Sequence, residues 1–152
     1  MCVVGLPRDG LTLSKTVSLR DLVNTPMILP SAPHGIRMLV DHACMQLGIQ
    51  LSVVAETNAM SVQKSLVIGG HGLTILPLIA VAGEVTAGTL HAARLADPLI
   101  TRKLALAVSA SRQLSVPVQH AVTELIQCMQ DAIESKRWPE AIWKYRPERL
   151  DG

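Results

Sequence analysis

Residues 26–48, PMILPSAPHGIRMLVDHACMQLG, decide the fold, because they hold a strand, a corner and a helix in one uninterrupted stretch. Met27, Ile28 and Leu29 form a continuous apolar run closed by Pro26 and Pro30, as a short strand buried on both faces requires. Ile36, Leu39, Val40, Ala43, Cys44 and Leu47 then recur at steps of three and four, which predicts a helix. Pro33 suits its first turn, and Gly48 stands where a left-handed C-terminal cap is expected.

The same unit repeats downstream. Leu51, Val53 and Ala55 alternate along a strand, and Asn58 is placed to cap a helix that carries Val62, Leu66 and Val67 and ends in Gly69 and Gly70. Residues 72–76 read as a third buried strand, and Pro77 opens a short helix running to about Glu84. Three successive strand-to-helix units indicate an α/β fold with a parallel sheet. Further out, residues 1–5 are a short apolar strand candidate, 90–100 read as irregular, and Leu104, Leu106 and Val108 alternate as a further strand. Ser115 introduces the longest helix, whose apolar stripe from Val118 to Ile133 is expected to pack on a sheet; a poorly ordered tail is expected from Pro139.

Composition narrows the classes of function. Of 152 residues, 49% are apolar and 17% charged, too oily for a disordered chain and sufficient for a core. The formal charge is only +2 and no polybasic run occurs, so there is no electrostatic case for nucleic-acid binding by this chain. Three scattered cysteines make no disulfide framework and fit a reducing compartment. No apolar stretch approaches the ~20 residues that span a bilayer, and the first ten residues lack the makings of a signal peptide. The expectation is a cytoplasmic protein without cofactor, metal or membrane partner.

Several residues invite chemistry. Gly69, Gly70 and Gly72 resemble a phosphate loop, but they close a helix and enter a strand, the reverse of what anion binding needs, and so read as a C-cap and tight turn. Of the five histidines none pairs at metal-ligand spacing; His42 and His120 read as exposed. His34 falls where the first turn of a helix gathers unpaired N–H groups, and two readings stand, a ligand-facing residue and a simply exposed one. In an open parallel sheet ligands bind beyond the carboxyl ends of the strands. Ser31, His34, Gly35, Thr57, Asn58 and Pro77 therefore form one candidate rim, although Ser31 and Asn58 also suit plain helix caps. Glu56 stands beside that rim, either orienting a ligand amine or exposed. No GxSxG elbow or carboxylate pair occurs, so covalent catalysis has no support.

Residues 26–48, the run VVAETNAMSVQKSLVIGGHGLTILPLIAV (53–81) and GEVTAGTLHAARLADPLITRKLALAVS (83–109), with the long final helix, resemble the effector-binding domain of LysR-type transcriptional regulators. GLTILP and the helix before it are the most specific part. The resemblance implies a fold like a type 2 periplasmic binding protein: one complete Rossmann-like lobe plus part of a second. It makes residues 1–22 a remnant of lobe I, 23–100 lobe II, 101–138 the return segment of lobe I, and 139–152 a C-terminal tail.

It also places Ser31, His34, Gly35, Thr57, Asn58 and Pro77 toward an effector, with Thr101 near the second crossing between lobes. The implied function is sensing of a small anionic metabolite. Self-association as dimer or tetramer is implied too, with the exposed side of the helix from His34 to Leu47 as a possible surface. Promoter DNA is then a partner only through a helix-turn-helix that this chain lacks. A solute-binding protein of a transport system is the alternative, disfavoured by the missing export signal, and a two-lobed enzyme is a third reading without a catalytic constellation to support it.

Overall fold

The computed structural model describes residues 1–108, 114–138 and 140–144. The chain divides into two compact units, one ending at Lys103 and the other beginning at Leu104. The first unit is a six-stranded mixed sheet covered on both faces. In chain order it contains β1 (Cys2–Gly5), β2 (Thr16–Val17), β3 (Pro26–Leu29), α1 (Gly35–Leu47), β4 (Ser52–Glu56), α2 (Met60–Ile68), β5 (Leu73–Leu76), α3 (Ala82–Thr86) and β6 (His91–Leu95), with short 3-10 turns at Pro7–Asp9, Leu19–Leu22 and Leu78–Ala80.

The strand order is β2-β6-β1-β5-β3-β4. β4, β3 and β5 run parallel, as the repeated strand-helix units require, while β1 is antiparallel to both β5 and β6. β1 falls within residues 1–22, yet it sits in the middle of the sheet that residues 26–95 build. Side chains alternate across the pleat and sort into two cores. Val3, Met27, Leu29, Ile75, Ala93 and Leu95 meet Ile36, Val40, Ala43 and Cys44 of α1 on one face. Cys2, Val4, Ile28, Leu76 and Ala92 meet Val67 of α2 and Val81 and Leu90 on the other.

Helix α1 forms as its pattern predicts, and Gly48 closes it with φ of 65°, a left-handed turn that glycine adopts without strain. Pro33 lies before the helix rather than in its first turn, because His34 is the N-cap. Gly69, Gly70 and Gly72 make the expected cap and turn; a side chain at Gly72 would meet the Pro26 carbonyl oxygen at 2.5 Å.

Four expectations are corrected. Residues 91–95 form β6 rather than irregular chain, zipped to β1 from Cys2↔Arg94 to Gly5↔His91. The run 103–108 is not a strand: its alternating Leu104, Leu106 and Val108 are exposed, and alternation yields a strand only where an edge supplies a ladder. On α2 the buried residues are Gln63 and Val67, whereas Val62 is 47% exposed. Helix α4 (Val116–Glu134) follows Ser115 as expected but has no buried residue, since the described part of its unit contains no sheet to receive its stripe. Of the tail, Pro139 and residues 145–152 lie outside the described residues.

Candidate functional site

Strands β4, β3 and β5 are neighbours and parallel, so the corners after them lie side by side on one edge of the sheet. The chain leaves β3 toward the face that α1 covers, and leaves β5 toward the opposite face, where Leu78, Val81 and Val85 pack. Adjacent strands whose connections part to opposite faces open a crevice between their carboxyl ends. Ser31 and Pro77 follow these two strands, and Thr57 follows β4.

Hydrogen bonds join the corners after β3 and β4. The Ser31 N–H donates to Asn58 Oδ1 at 3.1 Å, and the Thr57 N–H donates to the Leu29 carbonyl at 3.1 Å. Thr57 Oγ1 accepts the Ala59 N–H at 3.2 Å. Asn58 is therefore not the cap of α2, which begins from Ala59; its carboxamide is occupied 27 residues away, holding Ser31. His34 is the N-cap of α1, its N–H donating to the Ser31 carbonyl at 3.1 Å and its Nδ1 accepting the Ile36 N–H at 3.2 Å. That acceptor role leaves Nε2 as the ring donor in neutral His34. Pro77 caps the 3-10 turn after β5, its carbonyl accepting from the Ala80 N–H at 2.9 Å.

Gly35 and Thr101 come together by another route. With Leu39, Arg102 and Lys103 they line a cleft of about 450 Å³ at the start of α1. Arg102 and Lys103 thus stand at the same hollow as Gly35, the first residue of α1.

Two residues of this region escape a reading by motif. Arg37 sits in α1 with its side chain 18% exposed. Its guanidinium donates to Glu56 Oε1 at 2.5 Å, to both Asp41 carboxylate oxygens at 2.9 Å and to the Pro30 carbonyl at 3.2 Å. Hydrogen bonding to Glu56 above all, then to Asp41, holds Arg37 above the ordinary arginine range against the opposing effect of burial. Glu56 is exposed, one of its two expected readings, and is also part of a clamp on the β3 corner through Arg37. The spacing Arg37–Asp41 is a legible i, i+4 pair, but the reach to Pro30 and Glu56 is tertiary. The second residue, Gln63, is buried at 2% exposure and donates to the Ile28 carbonyl at 3.2 Å and to Thr74 Oγ1 at 2.5 Å.

Nearby, the Cys44 thiol is raised above its usual range by burial first and by Asp41 second, which disfavours the reactive thiolate. Among the described residues no group of three His, Cys, Asp or Glu side chains is placed to hold a metal ion, and no helix is long and apolar enough to cross a membrane.

The sequence profile described as the LysR substrate binding domain matches residues 1–131. The chain belongs to the LysR substrate-binding domain family. It is 34% identical over 97 residues to the HTH-type transcriptional regulator BbuR of Bordetella bronchiseptica, covering 64% of this chain and 30% of that protein. Against the HTH-type transcriptional activator CmpR of Synechocystis the identity is 28% over 119 residues, covering 78% and 39%. This LysR-family chain therefore spans less than half the length of the curated relatives it matches, and those relatives are named as transcriptional regulators.

Among solved structures, the regulatory domain of Synechocystis CcmR in complex with 2-PG superposes with a TM-score of 0.69 at 19% identity, covering 85% of this chain and 62% of that one. The effector-binding domain of QuiR in complex with shikimate gives 0.63 at 17%, covering 86% and 61%. An OxyR variant of Corynebacterium glutamicum gives 0.69 at 19%, covering 95% and 46%. At these identities the likeness concerns the fold, which is the α/β fold of LysR effector-binding domains, like a type 2 periplasmic binding protein.

Proposed function

We propose that this chain is the effector-sensing part of a LysR-type transcriptional regulator, taking a small anionic metabolite into the crevice bounded by Ser31, His34, Thr57, Asn58 and Pro77 and the adjoining cleft lined by Gly35 and Thr101. The observation that carries the reading is that the corners after β4, β3 and β5 stand in sequence along one sheet edge. Arg102 and Lys103 favour an anion in the adjoining cleft, and charge-assisted hydrogen bonds are roughly twice as strong as neutral ones. Shikimate and 2-PG, present in the two superposed domains, are fitting first probes.

In this reading residues 23–100 are lobe II, joined by β1 and β2 from residues 1–22, while 101–138 return toward lobe I and 139–152 trail as a tail. The effector biases one lobe arrangement over another and so alters how DNA-binding domains of a longer, cytoplasmic protein sit on a promoter. A tenfold preference between arrangements corresponds to about 1.4 kcal/mol, within reach of a few charge-assisted bonds. Self-association uses the outer side of α1, where Met38 and Met45 are 58% and 72% exposed.

Calorimetric titration of the 152-residue chain with small carboxylates, shikimate among them, tests the site. A binder identified with the wild type is expected to lose at least fivefold in affinity with Ser31→Ala or Thr57→Ala. Unchanged affinity in both variants, or no binder in the whole series, would overturn the assignment. Sedimentation of Met38→Glu/Met45→Glu tests the α1 surface: a monomer is expected where the wild type associates.

A further inference from the structure

Gln63 is a carboxamide in a place that packing alone would fill with leucine. It is 2% exposed, on the face of α2 that carries Val67, and next to the apolar cluster of Cys2, Val4, Ile28 and Leu76. A polar group there is tolerated only if its hydrogen bonds are met. They are met across two strands: one nitrogen, Nε2, donates to the Ile28 carbonyl of β3 and to Thr74 Oγ1 of β5. Thr74 is itself fully buried.

The place of this bridge in the sheet gives it a consequence. The β3–β5 ladder pairs Met27↔Leu73 and Ile28↔Thr74 and goes no further. On the other side of β3 the register slips between Met27↔Val53 and Ile28↔Ala55, leaving Val54 as an extra residue on β4. A bulge takes backbone groups out of the regular ladder. Just past that slip Gln63 ties β3 to β5 through Ile28 and Thr74, each three residues before a lip residue, Ser31 and Pro77 respectively.

We propose that Gln63 is the positioning residue of the crevice: by bridging Ile28 and Thr74 where the β3–β5 ladder ends, it sets the separation of the two lips that carry Ser31 and Pro77. Its effect on a ligand rests on the function proposed above; its effect on the lips does not. Buried polar bridges of this kind fix one geometry at the expense of packing, so the two contributions separate by mutation.

The test is backbone amide hydrogen exchange, read by NMR on the ligand-free 152-residue chain. The reporters are Ser31 and His34 on one lip, bonded to Asn58 Oδ1 and the Ser31 carbonyl, and Ala80 and Val81 on the other, bonded to the carbonyls of Pro77 and Leu78. In Gln63→Leu all four are expected to exchange at least tenfold faster, with Val3 and Ala93 in the sheet centre unchanged. Thr74→Val severs only the β5 arm, and acceleration is expected at Ala80 and Val81 alone; this variant also decides the matter should Gln63→Leu not fold.

The double variant Gln63→Leu/Thr74→Val removes both side-chain partners and is expected to regain melting temperature over Gln63→Leu while the lips stay fast. Uniform acceleration across Val3, Ala93 and the lips, or recovery of lip protection in the double variant, would make Gln63 a packing residue and overturn the proposal. The same variants titrated with shikimate and other small carboxylates report on the ligand. A wild type that binds none of them speaks against the sensor function, and the exchange result still decides the role of Gln63.

Discussion

Replacing Arg37 by methionine is expected to destabilise the sheet by about 2–3 kcal/mol, most of it from one carbonyl. The guanidinium serves three acceptor groups, two carboxylates and one carbonyl. Two belong to Asp41 and Glu56, whose side chains are 53% and 44% exposed, so water replaces the lost partner and each pair is worth only about 0.5 kcal/mol. The third is the carbonyl of buried Pro30, which methionine leaves without a donor at a cost of about 1–3 kcal/mol. Methionine keeps much of the aliphatic packing, so no large cavity term is added. For a unit of this size about 2 kcal/mol lowers Tm by roughly 8 °C.

Thermal and urea unfolding measure the loss, at low salt and again in about 0.5 M NaCl, where surface ion pairs are screened. Asp41→Asn and Glu56→Gln serve as controls and are each expected to cost under about 1 kcal/mol. If Glu56→Gln costs as much as Arg37→Met, or salt abolishes the Arg37→Met effect, the ion pairs dominate and the carbonyl argument is wrong.

The remaining predictions concern burial, close approach and protonation. Val67→Ala, at a fully buried position, is expected to cost about 2 kcal/mol, and Val62→Ala under about 0.5 kcal/mol; parity in urea unfolding would mean that α2 is rotated from the orientation described. Gly72→Ala drives a methyl into the Pro26 carbonyl and is expected to cost about 2 kcal/mol, read as a lower urea midpoint. The hydrogen bond from Lys64, first among its causes, holds Glu84 below the usual carboxylate range. The stability it lends is therefore present above the unfolded carboxyl pKa of about 4.3 and is lost as pH falls through the lower folded value. With the two side chains 22% and 29% exposed, the gap between wild type and Glu84→Gln is expected to stay below about 1 kcal/mol, flat above about pH 6 and closing toward about pH 3. A gap that widens on acidification would contradict the pairing.

What the sequence discloses follows from how local each cause is. The segment from Pro26 to Gly48 is legible because its boundaries are set by prolines and a glycine and its helix by apolar spacing, all within a few residues. Strand β6 is hidden because HAARL has small and charged side chains with no alternation; it is a strand through its ladder with β1, nearly 90 positions away. The opposite error arises at 103–108, where a good alternating pattern finds no described edge.

The candidate rim was readable as a set of corners, since Ser31, Thr57 and Pro77 each follow a strand. The use of Asn58 was not, because capping is a local inference and its actual partner, the Ser31 N–H, is tertiary. Gln63 offered no signal in the sequence: a polar residue at a buried helical position looks like the solvent face until the strands beneath it are known.

The central place of β1 bears on how the chain acquires its structure during synthesis. Val3 and Val4 are synthesised some seventy to ninety residues ahead of their ladder partners, Thr74–Ile75 and Ala92–Ala93. At translation rates of roughly 5–20 residues per second, the oily β1 segment waits several seconds for the neighbours that bury it. Closure of the sheet is thereby a late, non-local event that slows folding, and the waiting segment is a natural target for chaperones that shield nascent chains.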